Sequence, residues 1–139
     1  MAVALSLAAC GGDGGDGGPE AEFIAKADSI CRELGEKAQG IDRPDDVPGI
    51  ERFAAEGKAL AQRARGRLLR LDPPGELRGD FRRFLDAGGK GIQELGELER
   101  AARQRDTARI EQIADRIRQA NSDQHEIAGE IGFKSCGRS

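Results

Sequence analysis

The stretch that decides the fold is residues 106–133, which read DTARIEQIADRIRQANSDQHEIAGEIGF. Its core-type residues recur every three or four positions, which is the period of a helix that buries one face. They are Ile110, Ile113, Ile117, Ala120, Gln124, Ile127 and Ile131. Asp106 is suited to cap the start of this helix and Gly132 to end it, with Phe133 folding back over the last turn. We therefore predict an amphipathic helix that packs along one stripe.

Three further segments, all closer to the N-terminus, show the same period. The first opens at Pro19, a residue suited to the first turn of a helix, and fades by Gly40. The second follows the break and cap at residues 45–48, and the third follows the break at residues 72–75. The three stripes are Phe23, Ala27, Ile30, Leu34 and Ala38; then Ile50, Phe53, Gly57, Leu60, Ala64, Leu68 and Leu71; then Leu77, Phe81, Phe84, Gly88, Ile92, Leu95, Leu98 and Ala102.

These four segments predict an all-α protein. Because the connections between them are short, consecutive helices should be antiparallel, and an up-down-up-down four-helix bundle is the expected architecture. The alternative is a three-helix bundle with a broken first segment. Gly88, Gly89, Gly91 and Gly96 interrupt the third helix, where each glycine costs up to about 1 kcal/mol relative to alanine. That helix should either bend or lie close to its neighbours there.

The N-terminal segment, residues 1–9, is a short apolar run that leads into Leu7-Ala8-Ala9-Cys10. This ending resembles a bacterial lipobox, and the resemblance implies cleavage before Cys10 and a diacylglyceryl group on its thiol. The run is too short to span a bilayer as a helix. No Lys or Arg precedes it, in contrast to an ordinary signal peptide, which is consistent with a start codon upstream of Met1.

Residues 11–18 contain six Gly and two Asp, a composition that neither forms a helix nor buries apolar surface. We interpret residues 10–18 as a lipidated cysteine with a flexible linker, and residues 19–139 as the helical bundle domain. A glycine-rich coil of this length has a root-mean-square span of roughly 15 Å. The linker would therefore hold the domain just above the lipid headgroups.

The remaining cysteines are Cys31 and Cys136. If Cys10 carries a lipid, the other two cysteines can form one disulfide, which leaves no free thiol in an exported protein. In a cytosolic protein the same residues would more often be unpaired buried thiols. We predict the disulfide on the condition that the protein is exported.

The sequence as a whole is similar to small lipoproteins of high-GC Gram-positive bacteria. The resemblance rests on the lipobox, the linker, Ala27-Asp28-Ser29-Ile30-Cys31 and the ending Gly132-Phe133-Lys134-Ser135-Cys136-Gly137. It implies a disulfide-closed helical domain on the outer face of the cytoplasmic membrane. It implies no particular activity.

Residue types that act as catalysts or metal ligands in other proteins do not occur here in the patterns that those roles require. We therefore expect no catalytic, cofactor-binding or metal-binding residues. A di-iron bundle needs a Glu-x-x-His pair on each of two helices, and His125 is the single histidine. Residues 88–91 lack the spacing of a nucleotide-binding loop. Glu94, Glu97 and Glu99 are most simply a solvated helix face.

Charge is distributed unevenly along the chain. The net charge is -3, which does not favour nucleic acid as a partner, yet residues 58–83 hold eight basic and only three acidic side chains. Arginines at helical spacing flank the second interhelical turn, at the end of the bundle from which the linker should leave. They are Arg63, Arg67, Arg70, Arg78 and Arg82. They are candidate contacts for anionic lipid headgroups, and an ordinary solvated surface is the alternative.

These observations support three functional hypotheses. The first is a lipid-anchored extracytoplasmic protein with a non-enzymatic binding or scaffold role, whose partners are the membrane and an envelope protein of unknown identity. The second is a small-molecule carrier or sensor with a pocket between the helices, near the glycines of the third. A hydrolase that uses paired carboxylates is the third and weakest.

Overall fold

A computed structural model describes residues 18–137, which form four helices: α1 (Pro19–Gln39), α2 (Val47–Leu68), α3 (Arg78–Arg103) and α4 (Thr107–Ile131). One 3₁₀ turn, Gly75–Leu77, precedes α3, and these residues contain no strand. The predicted all-α class is therefore confirmed. Since α1 is continuous, the alternative with a broken first segment is wrong. The predicted signal segment and Cys10 lie outside the described residues.

The ends of the helices follow the local signals in the sequence. The Asp46 carboxylate accepts a hydrogen bond from the Gly49 amide at 2.6 Å, and the Asp106 carboxylate accepts one from the Arg109 amide at 3.1 Å. Gly132 ends α4 with a φ of 98°, a left-handed conformation that glycine adopts without strain. These local signals therefore set the helix boundaries.

The larger core lies at one end of the bundle and establishes the topology. It joins the first half of α1, the end of α2, the start of α3 and the end of α4, so consecutive helices are antiparallel and the up-down-up-down bundle is confirmed. Four phenylalanines pack at its centre, with the Phe23 and Phe81 ring centroids 4.9 Å apart and those of Phe84 and Phe133 5.2 Å apart. Phe133 is buried over the last turn of α4, as predicted.

A smaller core at the other end of the bundle excludes α1. Its buried residues are Ala54 of α2, Leu98 and Ala101 of α3, and Ile113 of α4. On α1 the predicted apolar stripe is buried up to Ile30, but Leu34 is only half-buried and Ala38 is exposed. The last turns of α1 therefore contribute no buried residue to the core that the helix shares with α2. Both cores lie within residues 18–137, so this part of the chain has what it needs to fold alone.

The glycines of α3 allow close approach of side chains from the neighbouring helices. A Cβ atom at Gly88 would lie 2.7 Å from Gln124 Nε2, and one at Gly96 would lie 3.7 Å from the Lys58 side chain. At Gly89 a Cβ atom would lie 3.5 Å from the Arg65 guanidinium, an ordinary van der Waals distance like that at Gly96. Close packing, the second of the two expectations for this helix, is thus confirmed at Gly88, whereas Gly89 and Gly96 have room for a methyl group.

Gly91 differs from Gly88 in a way that can be tested. A Cβ at Gly91 meets no atom within 4 Å, so Gly91→Ala is expected to stabilise the protein by up to about 1 kcal/mol through helix propensity. Gly88→Ala should show little or none of this gain, because the methyl group displaces Gln124, whose Nε2 donates to the Phe84 carbonyl at 3.4 Å. Urea unfolding of both variants measures the difference. Equal gains at the two sites would contradict this packing.

Candidate binding groove

An open groove lies between α1 and α2 on the surface of the described residues. Its first half has a volume of about 340 Å³ and its second half about 480 Å³. The first half is lined by Ile30, Glu33, Leu34, Lys37, Leu60, Arg63, Ala64 and Arg67. The second half is lined by Lys37, Gly40, Ile41, Ala55, Glu56, Ala59, Leu60 and Arg63. Because the halves share Lys37, Leu60 and Arg63, they form one continuous feature, the α1–α2 groove.

The groove exists because small side chains face the second half of α1. On α2, Ala55 and Ala59 are too short to fill the space that α1 leaves when it separates from the smaller core. Leu34 and Leu60 remain half-buried on its floor. An apolar floor is therefore accessible between two helices that are well packed at one end of the bundle.

Charged side chains form the rim of the groove. The Glu33 carboxylate accepts hydrogen bonds from Lys37 Nζ at 2.8 Å and from the Arg67 guanidinium. The Lys37 hydrogen bond, followed by the contributions of Arg67, lowers the pKa of Glu33 to about 2. A lowered carboxyl pKa stabilises the folded protein above the unfolded-state value, and this contribution is lost as the pH falls through about 2. The link between α1 and α2 is thus intact at neutral pH.

Arg63 is the exception on this rim. Its exposed guanidinium makes no ion pair with any side chain of residues 18–137, whereas Lys37 and Arg67 share Glu33. The groove is consequently lined by three cations and two carboxylates. The lining therefore has a net positive charge, and Glu56, like Arg63, has no ion-pair partner in the described part of the chain.

The five arginines selected from the sequence do not form one patch. Arg67 reaches Glu33, which lies fourteen residues beyond the start of α1, or about 21 Å along the helix, and Arg63 lines the same groove. These two arginines therefore lie along the side of the bundle and not at the end where α1 begins, which corrects the expected placement. Arg78 lies 3.9 Å from an Asp72 oxygen. Arg70 and Arg82 are exposed.

A cluster of residues holds the C-terminal segment against α1. We call this cluster the tail clasp, and it consists of Asp28, Cys31 and residues 134–136. The predicted disulfide between Cys31 and Cys136 is confirmed, with their Cα atoms 4.8 Å apart. The buried Asp28 carboxylate accepts hydrogen bonds from the amides of Lys134, Ser135 and Cys136 at 2.7 to 3.3 Å. The chain after Gly132 therefore turns back along α1.

The role of Asp28 was not anticipated from the sequence. Its position three residues before Cys31 places both side chains on one helix face, and this spacing is the one signal that could have indicated it. A carboxylate on an apolar helix face needs hydrogen-bond donors when it is buried. Next to a predicted disulfide, the backbone amides near the second cysteine can be those donors.

The acidic residues of α3 are less solvated than expected. Glu94, Glu97 and Glu99 are half-buried, and they bind basic side chains of α2, α3 and α4. The hydrogen bond from Lys58 lowers the pKa of Glu99. Interpreting these glutamates as a solvated face was wrong, because they link α3 to both of its neighbours. His125 is exposed and contacts the Gly137 carbonyl.

Two further findings concern residues 18–137 as a whole. They contain no group of three or more His, Cys, Asp or Glu side chains that could hold a metal ion. None of their helices is long and apolar enough to cross a membrane.

Comparison with known proteins gives no relative: no family model, curated protein or solved structure matches this chain.

Proposed function

We propose that the protein is a lipid-anchored, extracytoplasmic binding module without catalytic activity, held at the outer face of the cytoplasmic membrane by Cys10. The observation that carries the binding role is the α1–α2 groove, an accessible apolar floor beside Arg63, which has no ion-pair partner among residues 18–137. An apolar surface with a few placed charges is what ligand sites commonly present. The lipobox resemblance and the glycine-rich linker support the location.

The composition of the groove favours binding over chemistry. Its lining contains no serine, cysteine or histidine, the side chains that most often act as nucleophile and base. The Glu33 carboxylate is engaged by two cations and its lowered pKa makes it a weak base. An envelope protein with an apolar segment that carries negative charge would complement this surface, and such a partner is the first of two candidates.

A small-molecule carrier or sensor is the second candidate, and the size of the groove favours it. Each half falls within the roughly 300 to 1,000 Å³ typical of small-molecule sites. The sequence suggested a site near the glycines of α3, where Gln124 fills the space beside Gly88, whereas the groove lies between α1 and α2. Native mass spectrometry of protein purified from membranes distinguishes a retained small molecule from a protein partner.

The anchor itself can be tested by fractionation. Replacing Cys10 by Ala is expected to release the protein from membranes, because a diacyl group binds stably where a single chain binds only marginally. A matched control is Ser29→Ala, a similarly small replacement at an exposed position of α1, which keeps Cys10 and should stay in the membrane fraction. If the Cys10→Ala protein remains in that fraction after a salt wash, the proposed anchor is wrong.

A further inference from the structure

The two halves of the α1–α2 groove differ in character, and the difference indicates an amphipathic ligand. Four charged residues line the first half, which holds Glu33, Arg67 and their neighbours. Three charged residues, Lys37, Glu56 and Arg63, line the second half, but its surface is more apolar because Ile41, Ala55 and Ala59 lie on it. A ligand that occupies both halves would therefore combine a charged group with an apolar one.

The charge of that ligand follows from Arg63, which lines both halves. Lys37 and Arg67 share the single Glu33 carboxylate, which leaves these three side chains with a net positive charge, and Arg63 has no ion-pair partner among residues 18–137. Glu56 is the one other carboxylate of the lining, so the groove as a whole is cationic. A guanidinium suits a carboxylate or a phosphate, because it can donate two parallel hydrogen bonds to their oxygens. The headgroup expected at this position is thus an anion.

The apolar part should be thin and elongated. The lining follows α1 from Ile30 to Lys37, seven residues or about 10 Å of helix, and continues past the end of the helix to Ile41. A helix of a partner protein has a diameter of about 10 Å, whereas each half of the groove has the volume of a small ligand. A single acyl chain suits an elongated groove of this volume better than a helix does.

We infer that the α1–α2 groove binds one anionic lipid with a single acyl chain, the headgroup at Arg63 and the chain along Ile41, Ala55 and Ala59. This inference rests on the binding role proposed above and, within it, on the small-molecule candidate. It does not depend on lipidation of Cys10.

The test uses the lipid-free chain of residues 11–139, which contains both cores and the disulfide. The probes, used below their micelle-forming concentrations, are octanoate, dodecanoate, dodecyltrimethylammonium and inorganic phosphate, and binding is measured by calorimetric titration. Dodecanoate should bind with a stoichiometry of one. It should bind at least tenfold tighter than octanoate, because each buried methylene contributes about fourfold in affinity. The cationic probe and inorganic phosphate should bind far more weakly.

Three variants locate the site. Arg63→Gln should weaken dodecanoate binding by about tenfold, through loss of a charge-assisted hydrogen bond. Ala59→Leu should fill the apolar half and weaken it by a similar factor, while leaving the protein folded because leucine suits a helix. Arg32→Gln is the matched control: Arg32 is exposed on α1 but is not part of the groove lining, so binding should not change.

Several outcomes would overturn the inference. The first three are no binding of dodecanoate, equal binding of the cationic probe, and a stoichiometry well above one. The fourth is an affinity for dodecanoate that stays unchanged in both Arg63→Gln and Ala59→Leu, once circular dichroism has shown that these variants are folded. None of these results bears on whether Cys10 anchors the protein. Loss of the anchor in the fractionation experiment would likewise leave the groove result standing.

Discussion

Removing the Cys31–Cys136 disulfide is expected to lower the free energy of unfolding by about 4 to 5 kcal/mol. The two cysteines are 105 residues apart, so the bond closes a loop that includes nearly all of the described bundle. On the chain-entropy model, a loop of this size strongly restricts the unfolded chain. Small domains are stable by only about 5 to 15 kcal/mol, so the loss is a large share of the total.

This effect is measured by urea unfolding of the lipid-free chain and its Cys31→Ala/Cys136→Ala variant. Adding a reductant should destabilise the parent chain toward the level of the variant and should leave the variant itself unchanged. A loss below about 1 kcal/mol would show that the disulfide does not constrain the unfolded chain in this way.

Asp28→Ala is expected to destabilise the protein by about 2 to 3 kcal/mol, the second largest effect. The carboxylate is buried and accepts from three successive amides of the C-terminal segment, which the alanine leaves without that partner. Hydrogen bonds to charged groups contribute more than neutral ones, and part-buried donors left unsatisfied add a further penalty. Urea unfolding measures the change.

Two matched variants separate this role from a general effect of charge removal. Asp28→Asn keeps one acceptor oxygen and should recover part of the loss. Asp86→Ala removes an exposed carboxylate of α3 and should change stability by no more than about 0.5 kcal/mol. If Asp28→Ala behaves like Asp86→Ala, the tail clasp does not depend on Asp28.

Features governed by local sequence could be predicted. The N-caps at Asp46 and Asp106 and the glycine stop at Gly132 act on their own helix ends, so the residues nearby are sufficient to identify them. Apolar periodicity gave four helices, and short connections gave the antiparallel order. The disulfide followed from cysteine count together with the expected export.

Features that depend on how far one helix slides along another could not be predicted. Periodicity identifies the buried face of α1 but not the point at which it separates from α2, so the groove and the Arg67–Glu33 pair were missed. For the same reason, Arg63 was incorrectly predicted to lie at the end of the bundle. Interhelical pairs such as Arg116 with Glu94 likewise require the lateral packing, which residue spacing within a single helix does not contain.

The most direct test of an exported, lipid-anchored bundle closed by one disulfide is the intact mass of the protein purified from bacterial membranes under non-reducing conditions. The predicted mass corresponds to a chain that begins at Cys10, carries a diacylglyceryl group and lacks the two thiol hydrogens of Cys31 and Cys136. A chain that retains residues 1–9 without lipid, or one with two free thiols, would contradict the account.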